Sequence, residues 1–392
     1  MSVRSAINYD DLRRRAKRYA PKIAFDFIEG GVDEEFGLKR NYDKFSEIAL
    51  VPRYMTDPGA PNHETQLFGR TYAKPFGIAP TGGAALFRQG ADLMLARSAA
   101  KANIPFIISG ASTATMEDVA RVARDVSWYQ LYLAKDRKIS EDMVRRADAC
   151  GFSTLVLTVD VPVQPRRERN MRNGMGRPMR PTWKSRFEAL LHPSWLYAYN
   201  TGEKLTVSNW EKYVPSARSK QDVLDFFSTQ VPAPATMDDI KWIRDLWPRK
   251  LVIKGLMHPD DAVRSASAGV DGIMVSNHGG RQMDRSPSPV EVLPAIVEAV
   301  GDKMTVMYDS GIRHASDIIT AMALGAKFCF VGRWTLYGVT AGGQDGSDHA
   351  IDMISAQLTS VMRQMGAVRT SDFTSDYLMW KDPDDLRRNR RP

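Results

Sequence analysis

The sequence predicts an α/β protein whose core is a (β/α)8 TIM barrel. From Lys74 onward, short apolar runs alternate with longer segments of helical character, and there are eight such runs. Strands that alternate with helices pair in parallel, and eight such units favour a closed barrel. An open doubly wound sheet is the alternative, but no G-x-G-x-x-G motif follows the first run. The eight runs are Phe76–Ala79, Pro105–Ile108, Trp128–Leu131, Thr154–Thr158, Leu251–Lys254, Gly272–Val275, Thr305–Tyr308 and Phe328–Val331.

The chain before the barrel divides into two parts. Residues 8–28 carry apolar side chains at helical spacing, which predicts one N-terminal helix that ends at Gly30 and Gly31. The stretch that follows, to about Phe68, has no clear period and contains three prolines. We therefore expect an arm that wraps around the barrel.

Polar residues, glycine or proline lie at the end of each run or directly after it, where the chain leaves the predicted strand. The carboxyl ends of barrel strands meet on one face, and barrel enzymes carry their active sites there. We therefore expect these residues to form one site. They are Pro80, Thr81 and Gly82; Ser109; Gln130 and Tyr132; Thr158 and Asp160; Lys254; Ser276 and His278; Asp309; and Gly332 and Arg333.

The stretch from Gly272 to Asp284 places a histidine at the tip of the sixth strand. Two glycines separate His278 from Arg281. Histidine titrates nearest neutrality, so beside an arginine it suits a base that acts on an anionic substrate. The alternative is a loop histidine that makes an ordinary hydrogen bond.

The last two strands are followed by glycines and arginines. Asp309, Gly311 and Arg313 come after the seventh run, and Gly332 and Arg333 come after the eighth. Barrels commonly bind phosphate at this position, through backbone N–H groups at glycines and through cationic side chains. Turn glycines and surface arginines are the alternative, but two matched sets on adjacent strands favour a phosphate site.

Composition bounds the class of protein. The 392 residues are 43% hydrophobic, enough for a large core. Cys150 and Cys329 lie among apolar residues, which argues against a disulfide framework or a metal site and fits a reducing compartment. The charged N-terminus lacks a signal-peptide core, and no segment approaches a membrane span. We expect a cytoplasmic or membrane-surface protein.

The net charge of +8 comes from one segment. Residues 166–220 carry 12 Lys and Arg against 4 Asp and Glu, and the rest of the chain is balanced. The positive charge is therefore a property of this segment and not of the fold as a whole. For that reason we expect no nucleic-acid partner. The segment lies in an insertion, residues 166–235, within a gap of roughly 90 residues between the fourth and fifth runs.

Within the insertion, residues 177–199 mix aromatic and aliphatic side chains with arginine and lysine. This mixture is typical of a segment that lies in a membrane interface. A lid packed on the barrel and an oligomer contact are the alternatives. The apolar residues of this segment are Trp183, Phe187, Leu190, Leu191, Trp195, Leu196 and Tyr197.

With these residues assembled, the chain resembles the FMN-dependent L-2-hydroxy-acid oxidase and dehydrogenase family, from about Tyr9 to Tyr377. Ser276–Asp284 is similar to the family signature, with Met283 where leucine is usual. Residues 244–256 and 333–338 look most like its mandelate-oxidising members. Residues 169–193 are more similar to its bacterial lactate-oxidising members.

The resemblance implies roles on the substrate side. His278 would be the active-site base, and Asp160 its carboxylate partner. Arg281 and Arg167 would bind the substrate carboxylate through charge-assisted hydrogen bonds. Tyr132 would hydrogen-bond the substrate oxygen.

The resemblance also implies an FMN cofactor and its contacts. Lys254 would lie at the N1/C2 carbonyl side of the flavin, where a cation stabilises the reduced form. The residues expected at the ring system or ribityl chain are Pro80, Thr81, Gly82, Ser109, Gln130, Thr158 and Ser276. Those expected at the ribityl–phosphate end are Asp309, Gly311, Arg313, Gly332 and Arg333.

Three positions bear on specificity. Phe27 stands where the family usually has a tyrosine that touches the substrate carboxylate, a loss of one hydrogen bond worth roughly 0.5–1.5 kcal/mol. Ala111 stands where glycolate-oxidising members carry tryptophan, which leaves space for a bulky side group. Gly82 stands where oxygen-using members usually carry alanine, whereas members that use a quinone or another carrier often carry glycine.

The expected function is FMN-dependent oxidation of an (S)-2-hydroxy acid, mandelate-like or lactate-like, with electrons passed to a quinone or other carrier. An oxygen-dependent oxidase and a relative that acts on an unusual, for example peptide-derived, substrate are alternatives. We expect residues 1–380 to form one FMN-binding domain, residues 381–392 a disordered tail, and the chain a homo-oligomer, a tetramer by resemblance. A peripheral location on the inner face of the cell membrane is expected.

Overall fold

The structure, a computed structural model, describes residues 2–176 and 180–380. Eight parallel strands close into a barrel, in which the eighth pairs with the first through Cys329–Phe76 and Val331–Ile78. This confirms the predicted (β/α)8 barrel. The tail predicted over residues 381–392 lies outside the described residues. The barrel strands are Phe76–Ile78, Phe106–Ile108, Ser127–Leu131, Thr154–Thr158, Lys250–Leu256, Gly272–Val275, Thr305–Asp309 and Phe328–Val331.

Helices cover the outside of the barrel, and their buried residues recur three and four positions apart, as in Met116–Ala123. That helix begins at Thr115, whose hydroxyl accepts a hydrogen bond from the Asp118 N–H. The last helix is interrupted at Gly343, which has φ 60°. These helices are Ala91–Ala102, Met116–Ala123, Arg137–Ala149, Met237–Leu246, Pro259–Ser267, Pro289–Val300, Ala315–Ala323 and Arg333–Gln364.

The prediction of one N-terminal helix over residues 8–28 is wrong. The chain forms two helices there, Tyr9–Tyr19 and Lys22–Glu29. Pro21 has no N–H to donate, so the first helix cannot continue through it, and Ala20 before it is extended. The second helix begins directly after Pro21. We call Lys22–Glu29 the arm helix. The rest of the arm, expected to lack a clear period, contains the helix Phe36–Asp43, a strand Ile48–Leu50 paired with Leu378–Trp380, and a hairpin of Thr65–Leu67 and Arg70–Tyr72.

The insertion after the fourth strand is helical. Two of its helices, Trp183–Ala189 and Pro193–Thr201, are called the patch helices below. The other helical elements of the insertion are Glu168–Arg172, the 3-10 helix Ser208–Tyr213 and Lys220–Gln230.

The patch helices are fixed to the N-terminal helices by polar contacts. The Glu188 carboxylate accepts from the Lys22 backbone N–H at 2.7 Å, and His192 Nδ1 donates to the Arg18 carbonyl at 3.0 Å. Trp195 is buried and donates to the Leu86 carbonyl at 2.8 Å. These helices are therefore part of the folded body.

Five apolar side chains of the patch helices and the turn between them point into solvent, with 60–77% of each exposed. Exposed clusters of this kind mark interaction surfaces. Among residues 2–176 and 180–380, no helix combines the length and apolarity needed to cross a bilayer. The five side chains are Trp183, Phe187, Leu190, Leu191 and Tyr197.

Candidate active site

A cavity of about 620 Å³ lies at the carboxyl ends of the barrel strands. Most of the residues predicted from strand ends and from the resemblance line it. They are Phe27, Pro80, Thr81, Gly82, Ala111, Tyr132, Thr158, Arg167, Lys254, His278, Arg281, Asp309, Gly311, Arg313, Gly332 and Arg333.

Four predicted residues do not line the cavity but bond to groups around it. Asp160 bonds to His278, and Ser276 accepts from Lys254 at 2.9 Å. Ser109 donates to the Gln130 side-chain carbonyl at 3.1 Å. Ser109, Gln130 and Ser276 are buried, and Asp160 is half-buried.

His278 lies in a tight turn in which three successive residues have a positive φ. The residue has φ 57°, a left-handed conformation that is uncommon outside glycine, and Gly279 and Gly280 continue the turn with positive φ. Its backbone N–H donates to Ser276 Oγ at 3.1 Å, and its ring Nδ1 lies 2.9 Å from Asp160 Oδ1. A strained residue held on both sides is typical of a functional site.

The protonation states of this pair suit a base and its partner. Burial lowers the pKa of His278, against the opposing effect of the Asp160 charge. Burial alone would raise the pKa of Asp160, but His278 and then Lys254 outweigh it and hold that pKa below its ordinary value. The imidazole is therefore neutral at neutral pH and donates through Nδ1, which leaves Nε2 as an acceptor.

Two arginines converge on the same cavity. Arg281 Nη1 donates to the Gly30 carbonyl at 2.6 Å, and Arg167 Nη2 donates to Gln282 Oε1 at 3.1 Å. The Phe27 ring lies below both guanidinium groups, at 5.2 Å from Arg281 and 6.0 Å from Arg167. Burial, followed by the charges of Arg167 and Arg333, lowers the pKa of Arg281. An anion between these cations would relieve their repulsion.

A third arginine lies near the ends of the last strands. Arg333 donates to the carbonyls of Ile28 at 2.9 Å, Gly30 at 3.0 Å and Gly279 at 3.1 Å. The end of the arm helix and the His278 turn therefore fix its guanidinium group.

Glycine and a cation also meet after the seventh strand. Gly311 has φ 84°, and a Cβ there would lie 2.5 Å from the Asn41 carbonyl oxygen, so only glycine fits. The Arg313 guanidinium group stacks over the Tyr9 ring at 4.9 Å. This end of the cavity thus combines glycine backbone with two cations, the chemistry that binds phosphate.

Lys254 forms a buried ion pair with Asp309, with Nζ 3.0 Å from Oδ2. Burial would lower the pKa of Lys254, but the charges of Asp309 and Asp160 outweigh it and raise that pKa. The cavity floor therefore carries a permanent cation.

The residues present fit a flavin. Gln130 Nε2 and Thr158 Oγ1 are buried and have no hydrogen-bond partner within the described part of the chain. A buried polar atom without a partner costs about 1–3 kcal/mol, so these atoms call for a polar ligand. A flavin would supply polar ring atoms to them, a partner for the Lys254 charge and a phosphate for Arg313 and Arg333.

The fold and the site together define a flavin-dependent oxidoreductase built on a (β/α)8 barrel. Residues 16–380 match the family of FMN-dependent dehydrogenases. The chain belongs to this family and is an FMN-dependent enzyme.

Relatives with known names agree with this assignment. The chain is 38% identical over 372 residues to the (S)-mandelate dehydrogenase of Pseudomonas putida, which covers 95% of this chain and 93% of the relative. It is also 38% identical over 363 residues to a putative L-lactate dehydrogenase of Mycobacterium tuberculosis, with coverage of 92% and 86%. A solved structure of a monotopic membrane (S)-mandelate dehydrogenase superimposes with a TM-score of 0.91, at 37% identity, over 96% of this chain and 99% of that chain.

Sequence reasoning missed several groups at this site. The Gly30 carbonyl accepts from two arginines, and Gln282 links Arg167 to the Asp160 carbonyl, which accepts from Gln282 Nε2 at 3.0 Å. Ser310, inside the predicted phosphate motif, joins two loops of the cavity. Ser310 and Gln282 lie inside the predicted motifs, next to residues that were assigned, and this position could have identified them. No pattern in the sequence marks a backbone carbonyl.

Proposed function

We propose that this enzyme oxidises an (S)-2-hydroxy acid with a bulky apolar side group, mandelate-like rather than glycolate-like, to the 2-keto acid. The observation that carries the proposal is the His278–Asp160 pair in one cavity with Arg281 and Arg167. A base and a carboxylate-binding pair are the two elements that oxidation of a 2-hydroxy acid requires of the protein.

His278 is the proposed base. Since its Nδ1–H is directed to Asp160, Nε2 takes up the proton that the substrate loses. Burial keeps the imidazole neutral beforehand, and the Asp160 carboxylate at 2.9 Å stabilises the imidazolium that forms. The left-handed turn at His278 directs the ring, so little reorganisation precedes the proton transfer.

Arg281 and Arg167 are the proposed carboxylate ligands, and Tyr132 donates its hydroxyl to the substrate oxygen. Burial raises the pKa of Tyr132 to about 12, so this hydroxyl remains protonated. Phe27 has no hydroxyl to offer the carboxylate and instead supports both guanidinium groups with its ring face.

FMN, when bound, accepts the two electrons that leave the substrate. In our proposal Lys254 supplies a cation on the N1/C2 carbonyl side, and residues 1–380 act as one FMN-binding domain. Residues proposed at the ring and ribityl chain are Pro80, Thr81, Gly82, Ser109, Gln130, Thr158 and Ser276. Residues proposed at the ribityl–phosphate end are Asp309, Gly311, Arg313, Gly332 and Arg333.

Small residues beside large apolar ones support a bulky substrate. Ala111 and Gly82 are adjacent, since a Cβ at Gly82 would lie 2.9 Å from the Ala111 Cβ. The surrounding wall of the cavity is apolar, which suits an aromatic or branched side group. Its apolar residues include Phe27, Leu86, Phe87, Leu205, Val207, Leu224 and Phe227.

We further propose that the patch helices lie on the inner face of the cell membrane. Five exposed apolar side chains stand beside exposed Lys184 and Arg186, a pairing suited to acyl chains and anionic headgroups. A relative of the same fold is a monotopic membrane protein. A membrane location suits a quinone as the electron acceptor. We also propose that the chain forms a homo-oligomer, a tetramer by resemblance to the family.

The decisive experiment is anaerobic reduction of the purified yellow enzyme by a panel of hydroxy acids. We expect (S)-mandelate and other bulky (S)-2-hydroxy acids to bleach the flavin absorbance faster than glycolate, and the (R)-enantiomers to fail. A protein that binds no FMN on reconstitution, or that no hydroxy acid reduces, would refute the proposal.

A further inference from the structure

Ser310 occupies a strained position between the seventh strand and Gly311. Its φ is 88°, outside the range that non-glycine residues favour. Such strain persists only where surrounding contacts hold it, and the contacts of this residue lead to both sides of the cavity.

The Ser310 hydroxyl joins the His278 turn to the floor of the cavity. It accepts from the Gly279 backbone N–H at 2.9 Å and donates to Asp309 Oδ1 at 2.8 Å. Because its one proton goes to the carboxylate, the direction of both hydrogen bonds is fixed. The other carboxylate oxygen of Asp309 lies 3.0 Å from Lys254 Nζ.

The same lysine is connected to His278 by a second route. Lys254 Nζ donates to Ser276 Oγ at 2.9 Å, and Ser276 Oγ also accepts from the His278 backbone N–H at 3.1 Å. The two routes close a ring of hydrogen bonds. The backbone N–H groups of His278 and Gly279 are both connected to Lys254, the first through Ser276 and the second through Ser310 and Asp309. Ser310 and His278 are the two non-glycine residues of this ring that have a positive φ, 88° and 57°.

We propose that Ser310 is a positioning residue that couples the base turn to the Lys254–Asp309 ion pair. This inference rests on the proposed function, since it assumes that His278 takes the proton and that Lys254 faces the flavin. The hydroxyl has two consequences. It holds the turn that directs the His278 ring, and its donated hydrogen bond draws negative charge from Asp309, so that Lys254 retains more of its positive potential.

The direction of each effect follows from this arrangement. Without the hydroxyl, the Gly279 N–H loses its acceptor and the base turn relaxes, and displacements of about 1 Å in an active site slow reactions by up to ~10²-fold. The full Asp309 charge then faces Lys254, and the reduced, negatively charged flavin is less stabilised. The midpoint potential of the bound flavin becomes more negative.

Two substitutions separate the hydroxyl from the strain. Ser310→Ala removes the hydroxyl and keeps the unfavourable φ, whereas Ser310→Gly removes the hydroxyl and relieves it. The measurements are the midpoint potential of bound FMN, its dissociation constant, and the rate of anaerobic reduction by (S)-mandelate. Ser140→Ala is the matched control. The buried Ser140 hydroxyl also accepts from a backbone N–H, that of Ala134 at 2.9 Å, but Ser140 does not line the cavity.

We expect both Ser310 variants to shift the potential to more negative values and to reduce about tenfold more slowly or worse, while the control keeps both values. Should Ser310→Gly retain the potential and rate of the unaltered enzyme, the hydroxyl has no such role and the proposal is overturned, whatever Ser310→Ala does. That outcome differs from failure of the proposed function, in which the unaltered enzyme itself is not reduced.

Discussion

Arg281 and Arg333 donate hydrogen bonds to one acceptor, the carbonyl oxygen of Gly30, at 2.6 and 3.0 Å. Gly30 ends the arm helix, where carbonyl groups carry partial negative charge. One backbone atom outside the barrel therefore sets the separation between the proposed carboxylate ligand and the proposed phosphate ligand.

The first prediction separates these two arginines. Arg281→Met should weaken binding of the hydroxy acid and of a keto-acid product, because charge-assisted hydrogen bonds contribute about 1.5–3 kcal/mol, or roughly 10- to 150-fold. FMN should remain bound, since Arg333 keeps its contacts to Ile28 and Gly279. Titration of the flavin spectrum with product measures the first effect. Arg333→Met, the matched variant, should instead lose FMN, and unchanged product affinity in Arg281→Met would contradict the assignment.

The second prediction concerns pH. The base must be unprotonated, so kcat/KM should fall with decreasing pH through the pKa of His278, and burial places that fall below the ordinary range of histidine. His278→Gln should keep FMN and lose ~10²–10⁴-fold in anaerobic flavin reduction. Since the Asp160 charge raises the pKa of His278, Asp160→Asn should move the acidic limb to lower pH and slow reduction. An acidic limb that stays in place in His278→Gln would assign it to another group.

The third prediction concerns the size of the substrate. Ala111→Trp fills the space beside Gly82 and should lower kcat/KM for mandelate at least about tenfold relative to glycolate. Ala111→Ser changes the volume little and serves as the control. The ratio of the two kcat/KM values is the measurement, and preference of the unaltered enzyme for glycolate would show that the pocket argument is wrong.

The fourth prediction concerns the electron acceptor. Reduced enzyme should react slowly with oxygen and quickly with a quinone analogue in stopped-flow reoxidation. A methyl group at Gly82 would meet Ala111 at 2.9 Å and alter packing in the wall of the cavity, so Gly82→Ala should change the oxygen rate, upward by the resemblance to oxygen-using members. Reoxidation by oxygen as fast as steady-state turnover would make the enzyme an oxidase.

The fifth prediction concerns the membrane. Replacing Trp183, Phe187 and Leu191 together by glutamine should abolish cosedimentation with anionic vesicles without lowering the thermal unfolding temperature, because all three are exposed. Tyr54 and Met55, exposed outside the patch, provide the matched control. Binding by the intact protein should weaken with salt. Absence of binding at low salt would favour an oligomer contact.

The barrel was predictable because parallel strands buried on both faces read as short continuous apolar runs, and strand ends locate a shared face. The break at Ala20 and Pro21 was missed because apolar spacing continues across it, although Pro21 is a local signal that a helix ends. The positive φ of Ser310 and the dual role of the Gly30 carbonyl were also beyond reach. The role of the Gly30 carbonyl depends on contacts between residues about 250 to 300 positions apart in the chain. The Ser310 hydroxyl contacts Gly279, which belongs to a different strand-end loop.

The attachment of the patch helices to the arm helix bears on the design of a variant that lacks the proposed membrane surface. Glu188 accepts from the first N–H of the arm helix, and Asn173, just before the patch, donates to Asp26 at 2.7 Å. Exchanging the whole segment for a polar loop would remove the Glu188 contact from the helix whose far end holds both arginines. A soluble variant that retains full turnover is therefore better made by changing only the outward side chains.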